Sequence, residues 1–182
     1  KILTLAAALE EGLTNFNERF YCPGYNIVDG VRIKCWRTIG HGSQTLVEGF
    51  ANSCNCVFMN LALRLGVERF YKYAKLFGLG QTTGVNLSGE AKGILMPQKL
   101  VKNVDLARMG FGHAITVSPL QLLTSVSGIV NGGNLPTPTI QKVDSPNIRR
   151  NILSAETSQK MNYLLEKATN KHGDCSFLEG YN

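Results

Sequence analysis

Ser53-Cys54-Asn55 heads an apolar run over 57–65 whose spacing predicts a helix buried along most of its surface. A Ser and an Asn one residue apart, at the mouth of such a helix, can direct two polar groups into one cleft. The residue between them then turns into the protein. A glycine-punctuated stretch, His41-Gly42-Ser43, comes shortly before. A second apolar segment opens the sequence, where Lys1 is followed by Ile2-Leu3-Thr4-Leu5-Ala6-Ala7-Ala8-Leu9-Glu10-Glu11, with Gly12 placed to end it. A helix of that composition opening on a Lys, with no cap residue, predicts a piece cut from a longer chain.

The remaining pattern reads as mostly helical. Apolar spacing of three to four residues, ended near Gly66, Gly78 and Gly132, predicts helices over 1–11, 56–65, 67–77, 118–131 and 154–169. Ser118-Pro119 reads as a cap followed by Pro at the first helical position. Ser154 can cap the last helix, with Glu156 in its first turn and Lys167 and Lys171 near its end. Residues 25–36 alternate apolar and polar around Asp29-Gly30, a strong hairpin signal. Residues 134–152 read as a Pro-rich connector with a short strand. These elements predict the helical part of an α+β domain whose main sheet lies largely outside the sequence, with 1–182 forming part of one domain.

Composition excludes several classes. With 43% hydrophobic residues among 182, the chain can bury a core, and no stretch is of low complexity. No apolar run approaches the roughly 18 residues of a membrane span. The net charge is +6, but Lys and Arg are scattered and Arg149-Arg150 is the basic doublet, so a nucleic-acid partner is not expected. An anionic cell-wall surface suits that balance better.

Cysteine is the second signal. The count of five is odd. Cys22 and Cys35 flank the expected hairpin and could be thiols, a disulfide or half of a metal site. Cys54, the middle residue of Ser-x-Asn, is expected to pack inward as an inert side chain. His41 is expected to make a structural hydrogen bond, and His113 a loop role or a place on a cleft wall.

The order of these motifs resembles the transpeptidase domain of class B penicillin-binding proteins, over nearly the whole chain. Their active-site helix carries Ser-x-x-Lys followed by an Ala-rich apolar run ending in Glu-Gly. The match makes Lys1 the motif Lys and places the nucleophilic Ser three residues ahead of it. Ser53-Cys54-Asn55 stands as the second motif, and Leu178-Glu179-Gly180-Tyr181-Asn182 resembles the strand leading to the third, Lys-Thr-Gly. Tyr21-Cys22-Pro23-Gly24, Lys34-Cys35-Trp36 and Gly40-His41-Gly42 resemble the hairpin region of sporulation-type members. Phe77-Gly78-Leu79-Gly80, Thr83-Gly84, Gly89-Glu90 and Gly93 resemble the family's connector. Val117-Ser118-Pro119-Leu120-Gln121-Leu122 and Val130-Asn131-Gly132-Gly133 resemble the helix after it. Gly110-Phe111-Gly112-His113 departs from the pattern, which has a Gln between the glycines and a small residue after them.

The resemblance implies a peptidoglycan D,D-transpeptidase acting in spore cortex synthesis and acylated by β-lactams. Lys1 would be the base, Ser53 a proton relay to the leaving amine, and Asn55 a ligand for the substrate amide that also steadies Lys1. Phe111 and Gly112 would bind substrate. It further implies stem peptides and β-lactams as ligands, a glycosyltransferase of the wall-synthesis complex as partner, and a place on the outer face of the membrane through an anchor elsewhere in the protein. No cofactor is needed for acyl transfer. His172-Gly173-Asp174-Cys175 falls where the family has a Gly/Asn-rich turn near the Ser-x-Asn loop, so Cys56, His172, Asp174 and Cys175 could hold a structural zinc, with Cys22 and Cys35 as the alternative. The same residues have plainer readings: Lys1 as a solvated terminal residue, Ser53 and Asn55 as a helix cap or turn, and the whole domain as a silent member of the fold that binds without turning over.

Overall fold

The structure, a computed structural model, describes residues 1–172. The expected ligands Asp174 and Cys175, the side chain of His172 and the expected strand residues Leu178 to Asn182 lie outside the described residues. Helix α1 spans Ile2–Glu10 and is buried from Thr4 to Leu9. Its run of alanines is what allows this: small side chains let neighbouring helices approach from more than one side. Helix α3, Asn55–Leu76, supplies Phe58, Met59, Leu61 and Ala62, all with no exposed surface. The chain breaks helical geometry inside α3 at Gly66 (φ 71°, ψ 165°), where a side chain would be strained. The two helices expected over 56–65 and 67–77 therefore run almost end to end.

Helix α5, Pro119–Val130, begins as expected: Ser118 accepts from the Gln121 N–H, and Gln121 reaches back to the Ser118 N–H at 2.8 Å. Helix α6, Ala155–His172, starts where Ser154 Oγ accepts from the Thr157 N–H at 3.1 Å. Helices α2, Leu46–Ala51, and α4, Asn103–Gly110, were not foreseen. A sequence signal for α2 did exist, since Thr45 and Glu48 form a capping box. Leu106 and Ala107 of α4 join the core with Leu5, Leu46, Met161 and Leu164.

The strands lie at the edges, in four two-stranded antiparallel sheets. β2, Tyr25–Val28, pairs with β3, Val31–Lys34, across Asp29 (φ 47°) and Gly30 (φ 78°), the left-handed pair of a tight hairpin turn. β1, Arg19–Cys22, pairs with β4, Gly42–Thr45, and so encloses that hairpin. β5, Ile94–Leu95, pairs with β6, Ile115–Thr116. The connector holds two strands rather than one: β7, Asn134–Pro136, pairs with β8, Ile148–Asn151. No larger sheet occurs among the described residues, and no helix among them is long and apolar enough to cross a membrane.

Helices α3 and α4 cross in close contact at Gly110. A Cβ on Gly110 would stand 2.5 Å from Ala62 Cβ and 2.5 Å from the Phe58 carbonyl oxygen. The Gly110 carbonyl in turn accepts from Thr4 Oγ1 at 2.8 Å, in a buried position, which locks α1 to the end of α4. Gly110→Ala is therefore expected to destabilise the domain by about 1–3 kcal/mol through overpacking. Denaturant unfolding checks this, and an unchanged midpoint would show that the crossing can relax.

Candidate active site

Lys1 stands at the N-terminus of buried α1, so its backbone position follows from the packing of Leu5, Ala6 and Ala8. Its side chain is half-buried and passes over the Phe58 ring, with Nζ 5.9 Å from the centroid. Nζ donates to Ser53 Oγ at 2.7 Å and to the Ser53 carbonyl oxygen at 3.0 Å. Residues 52 apart in sequence are thus joined by a short hydrogen bond. Burial pushes the Lys1 ammonium below the ordinary lysine range, against an opposing pull from the sulfurs of Cys35 and Cys54. Desolvation is the larger effect, so Lys1 sheds its proton more easily than a solvated lysine does.

Ser53 is held in an uncommon conformation. Helix α2 ends with Ser53 N–H bonding to the Phe50 carbonyl at 2.9 Å and Cys54 N–H to the Gly49 carbonyl at 2.9 Å. Ser53 itself adopts φ 50°, the left-handed region that side chains other than Gly avoid. A non-glycine residue kept there reflects surroundings that fix it, a pattern that clusters at functional sites. The surroundings are visible. Asn52 Nδ2 donates to Gln44 Oε1 at 3.0 Å, and Trp36 Nε1 donates to the Asn52 and Ser53 carbonyls at 3.1 and 3.0 Å. The Ser53 carbonyl therefore receives two donors, one from Trp36 and one from Lys1.

Neither Ser53 nor Asn55 caps α3. The cap residue is Cys54, fully buried, and no side chain closes the helix start. Ser53 lies in the turn between α2 and α3 rather than at a cap, and its hydroxyl accepts from Lys1. Asn55 opens α3 and is partly exposed, with no side-chain hydrogen bond among the described residues. It does not bond Lys1 directly; Ser53 does.

Phe111 ends α4 one residue past Gly110, and its ring lies 4.8 Å from that of His113. Phe111 and Gly112 line an apolar cavity of ≈ 400 Å³ together with Lys1, Thr4, Met109 and Leu122. Ala114, directly after His113, is, with Asp29 and Ser53, a third non-glycine residue in the left-handed region (φ 61°). The departure from the family pattern thus opens onto the cavity that Lys1 reaches.

The expected set of Cys56 with His172, Asp174 and Cys175 falls mostly outside the described residues, while the alternative pair, Cys22 and Cys35, comes together. Cys22, Cys35, Cys54 and His41 converge, with their ligand atoms all within 4.8 Å of one another. Cys56 touches this group through Cys22, with the sulfurs 3.4 Å apart. His41 makes its expected structural hydrogen bond to a sulfur, with Nδ1 3.7 Å from Cys35 Sγ, and its buried Nε2 has no partner among the described residues. Sequence reasoning missed both the convergence of His41 with these cysteines and the indole of Trp36. Neither is signalled locally, because both depend on how β1, β3 and β4 fold back onto the loop after α2.

The family model for the penicillin binding protein transpeptidase domain matches residues 1–182. Stage V sporulation protein D of Bacillus subtilis is 44% identical over 195 aligned residues, covering 100% of this chain and 30% of the relative. The chain therefore spans about a third of that protein. Among solved structures, the transpeptidase domain of penicillin-binding protein 3 from Burkholderia pseudomallei superposes with a TM-score of 0.85 at 26% identity, over 93% of this chain and 51% of the other. Penicillin-binding protein 3 of Mycobacterium tuberculosis, solved with aztreonam, gives a TM-score of 0.80 at 28% identity, over 90% and 39% respectively.

Trp36→Phe keeps the ring and removes the donor to the Ser53 loop. It is expected to lower stability by about 1 kcal/mol, the net worth of such a bond. A denaturation curve identical to the parent's would show that the indole N–H does not hold the loop.

Proposed function

This chain belongs to the penicillin-binding protein transpeptidase family, and on that premise we propose that the whole protein is a serine D,D-transpeptidase that cross-links peptidoglycan stem peptides and is acylated by β-lactams. The observation that carries the reading is the 2.7 Å contact between Lys1 Nζ and Ser53 Oγ. Likeness to a sporulation protein along the whole chain supports a role in spore cortex synthesis. The aztreonam complex of the mycobacterial relative supports β-lactam acylation.

The nucleophile in this reading is a Ser three residues ahead of Lys1, one turn along the same helix face. Its Oγ bonds the carbonyl carbon of the penultimate D-alanine as its proton passes to Lys1 Nζ. A lysine already shifted down by burial is suited to accept it. The C–N bond then breaks, and the departing D-alanine nitrogen takes a proton that Ser53 Oγ hands over from the Lys1 ammonium. An amine of a second stem peptide attacks the ester, reverses those proton transfers and frees the Ser. In a β-lactam the cleaved nitrogen stays tethered in the opened ring, so the ester persists. Asn55 would bind the substrate amide from the start of α3. Such a cross-linker consumes nascent glycan strands, so it works beside a glycosyltransferase, outside the membrane and held there by an anchor elsewhere in the protein.

The test is acylation of the intact protein by a labelled penicillin, with the adduct mapped to the Ser ahead of Lys1. Ser53→Ala is expected to slow acylation by about 10²–10⁴-fold with little loss of stability. Since only unprotonated Lys1 can accept, the rate should rise with pH and level off at an inflection below the ~10.4 of free lysine. No adduct, or a profile with no inflection below that value, would contradict the reading.

Phe111 borders the cavity that Lys1 reaches. Phe111→Gln replaces apolar surface with an amide, and should reorder acylation rates among β-lactams with different side chains. An unchanged order would make Phe111 a packing residue.

A further inference from the structure

We propose that the exposed face of the β2–β3 hairpin, continued by Trp36 and Arg37, is a docking surface for an anionic peptidoglycan strand beside Ser53. That the strand is peptidoglycan rests on the transpeptidase reading. The surface itself rests on exposure, register and charge. Tryptophan is usually well buried, yet Trp36 is 61% exposed. Its edge is committed: Nε1 donates to the Asn52 carbonyl at 3.1 Å and to the Ser53 carbonyl at 3.0 Å. Lys1 Nζ donates to that same Ser53 oxygen, so indole and amine converge on one acceptor atom. A ring fixed at its edge, with most of its surface in water, is the amphipathic arrangement tryptophan adopts at interfaces.

The hairpin continues that platform with cations. Register pairs Tyr25 with Lys34 and Ile27 with Arg32, which puts these four side chains on one face. Val28 and Ile33, on the other face, are buried, so the face of Ile27 and Arg32 is the one turned to solvent. Ile27 is 66% exposed, and the Arg32 guanidinium lies over the Tyr25 ring, 3.9 Å from its centroid. Trp36 and Arg37 come shortly after Lys34 in the chain. Residues 19–43 hold four basic side chains, Arg19, Arg32, Lys34 and Arg37, and a single carboxylate, Asp29. Arg32, Lys34 and Arg37 are exposed and form no ion pair among the described residues. Asp29 is engaged elsewhere: its Oδ1 accepts from Asn103 Nδ2 at 3.4 Å, at the start of α4.

Exposed rings interleaved with unpaired cations select an occupant that has both apolar faces and negative charge. A peptidoglycan strand has both. The C–H faces of its pyranose rings pack on aromatic side chains, and its stem-peptide carboxylates pair with guanidinium and ammonium groups. A neutral apolar partner would instead cover Arg32, Lys34 and Arg37 without supplying a counter-charge. Sugar on Trp36, with carboxylates on Arg37 and the hairpin, lays the strand past the loop that presents Ser53 to Lys1. The second stem peptide, whose amine attacks the ester, is then delivered along a bound strand rather than from free solution, which raises its local concentration.

The test uses the intact protein and soluble, uncross-linked strands bearing stem peptides, with binding followed at low and high salt. Binding to the parent is expected to weaken as salt rises. Arg32→Glu combined with Arg37→Glu should weaken it by about tenfold or more and remove most of the salt dependence. Trp36→Ala should weaken it by about tenfold, while Trp36→Phe, which keeps a ring, stays within about threefold of the parent. The charge-reversed variant alters only exposed side chains, so it tests the surface even where Trp36→Ala fails to fold. Equal affinity in that variant would overturn the proposal. So would equally tight binding of polyglutamate, a polyanion without sugar rings, which would reduce the surface to general charge. A lowered melting temperature in the charge-reversed variant with strand binding intact would assign the face to another part of the protein. A dimer lost in that variant with strand binding intact would assign it to a second copy, and either result overturns the strand. Absence of any penicillin adduct counts against the transpeptidase reading alone, because strand binding is read without acylation.

Discussion

Helix α1 is buried from Thr4 to Leu9, and that burial decides where Lys1 can stand. A helix lined by Ala6, Ala7 and Ala8 can lie between others without voids, so its end is positioned by packing density rather than by exposed contacts. Thr4 adds a buried bond to Gly110, which in turn can be nothing larger where α4 crosses α3. The position of the amine is thus a consequence of the core. Because the amine is reached from within the core, it loses water and its pKa falls.

The other half of the site is built on a different principle. Ser53 belongs to a short loop between α2 and α3, and its left-handed backbone is not a state it would choose alone. Hydrogen bonds at the end of α2, the Gln44–Asn52 bridge and the Trp36 indole hold it there. Those holders come from the strands β1 to β4 and the turns between them. A rigid core thus brings Lys1, the proposed base, while a strapped loop brings Ser53, the proposed relay. The cysteine–histidine cluster of Cys22, Cys35, His41 and Cys54 sits on the strapped side.

Much of this was legible in the sequence, and the residues show why. Helix α1 could be read from its own composition, the break in α3 from Gly66, the start of α5 from Ser118-Pro119, and the hairpin from Asp29-Gly30. Each is a local signal with a local cause. Lys1 and Ser53 could be paired through the order of motifs, although nothing near either residue says they touch. What escaped depends on long-range pairing. Residues 19–22 meet 42–45 only because the hairpin between them folds away, and that pairing alone brings His41 to Cys22 and Trp36 to Ser53. Helix α4 escaped for another reason: over eight residues its apolar pattern is too short to stand out.

The central claim is that Lys1 and Ser53 act as one unit across the gap between core and loop. A double-mutant cycle on the second-order rate of penicillin acylation, with Lys1→Met and Ser53→Ala made singly and together in the intact protein, tests it most directly. The account predicts strong non-additivity, the double variant reacting about as slowly as the slower single variant, since either change alone disables the shared proton path. Losses that simply multiply would contradict it, and would make the 2.7 Å contact a feature of packing rather than of chemistry.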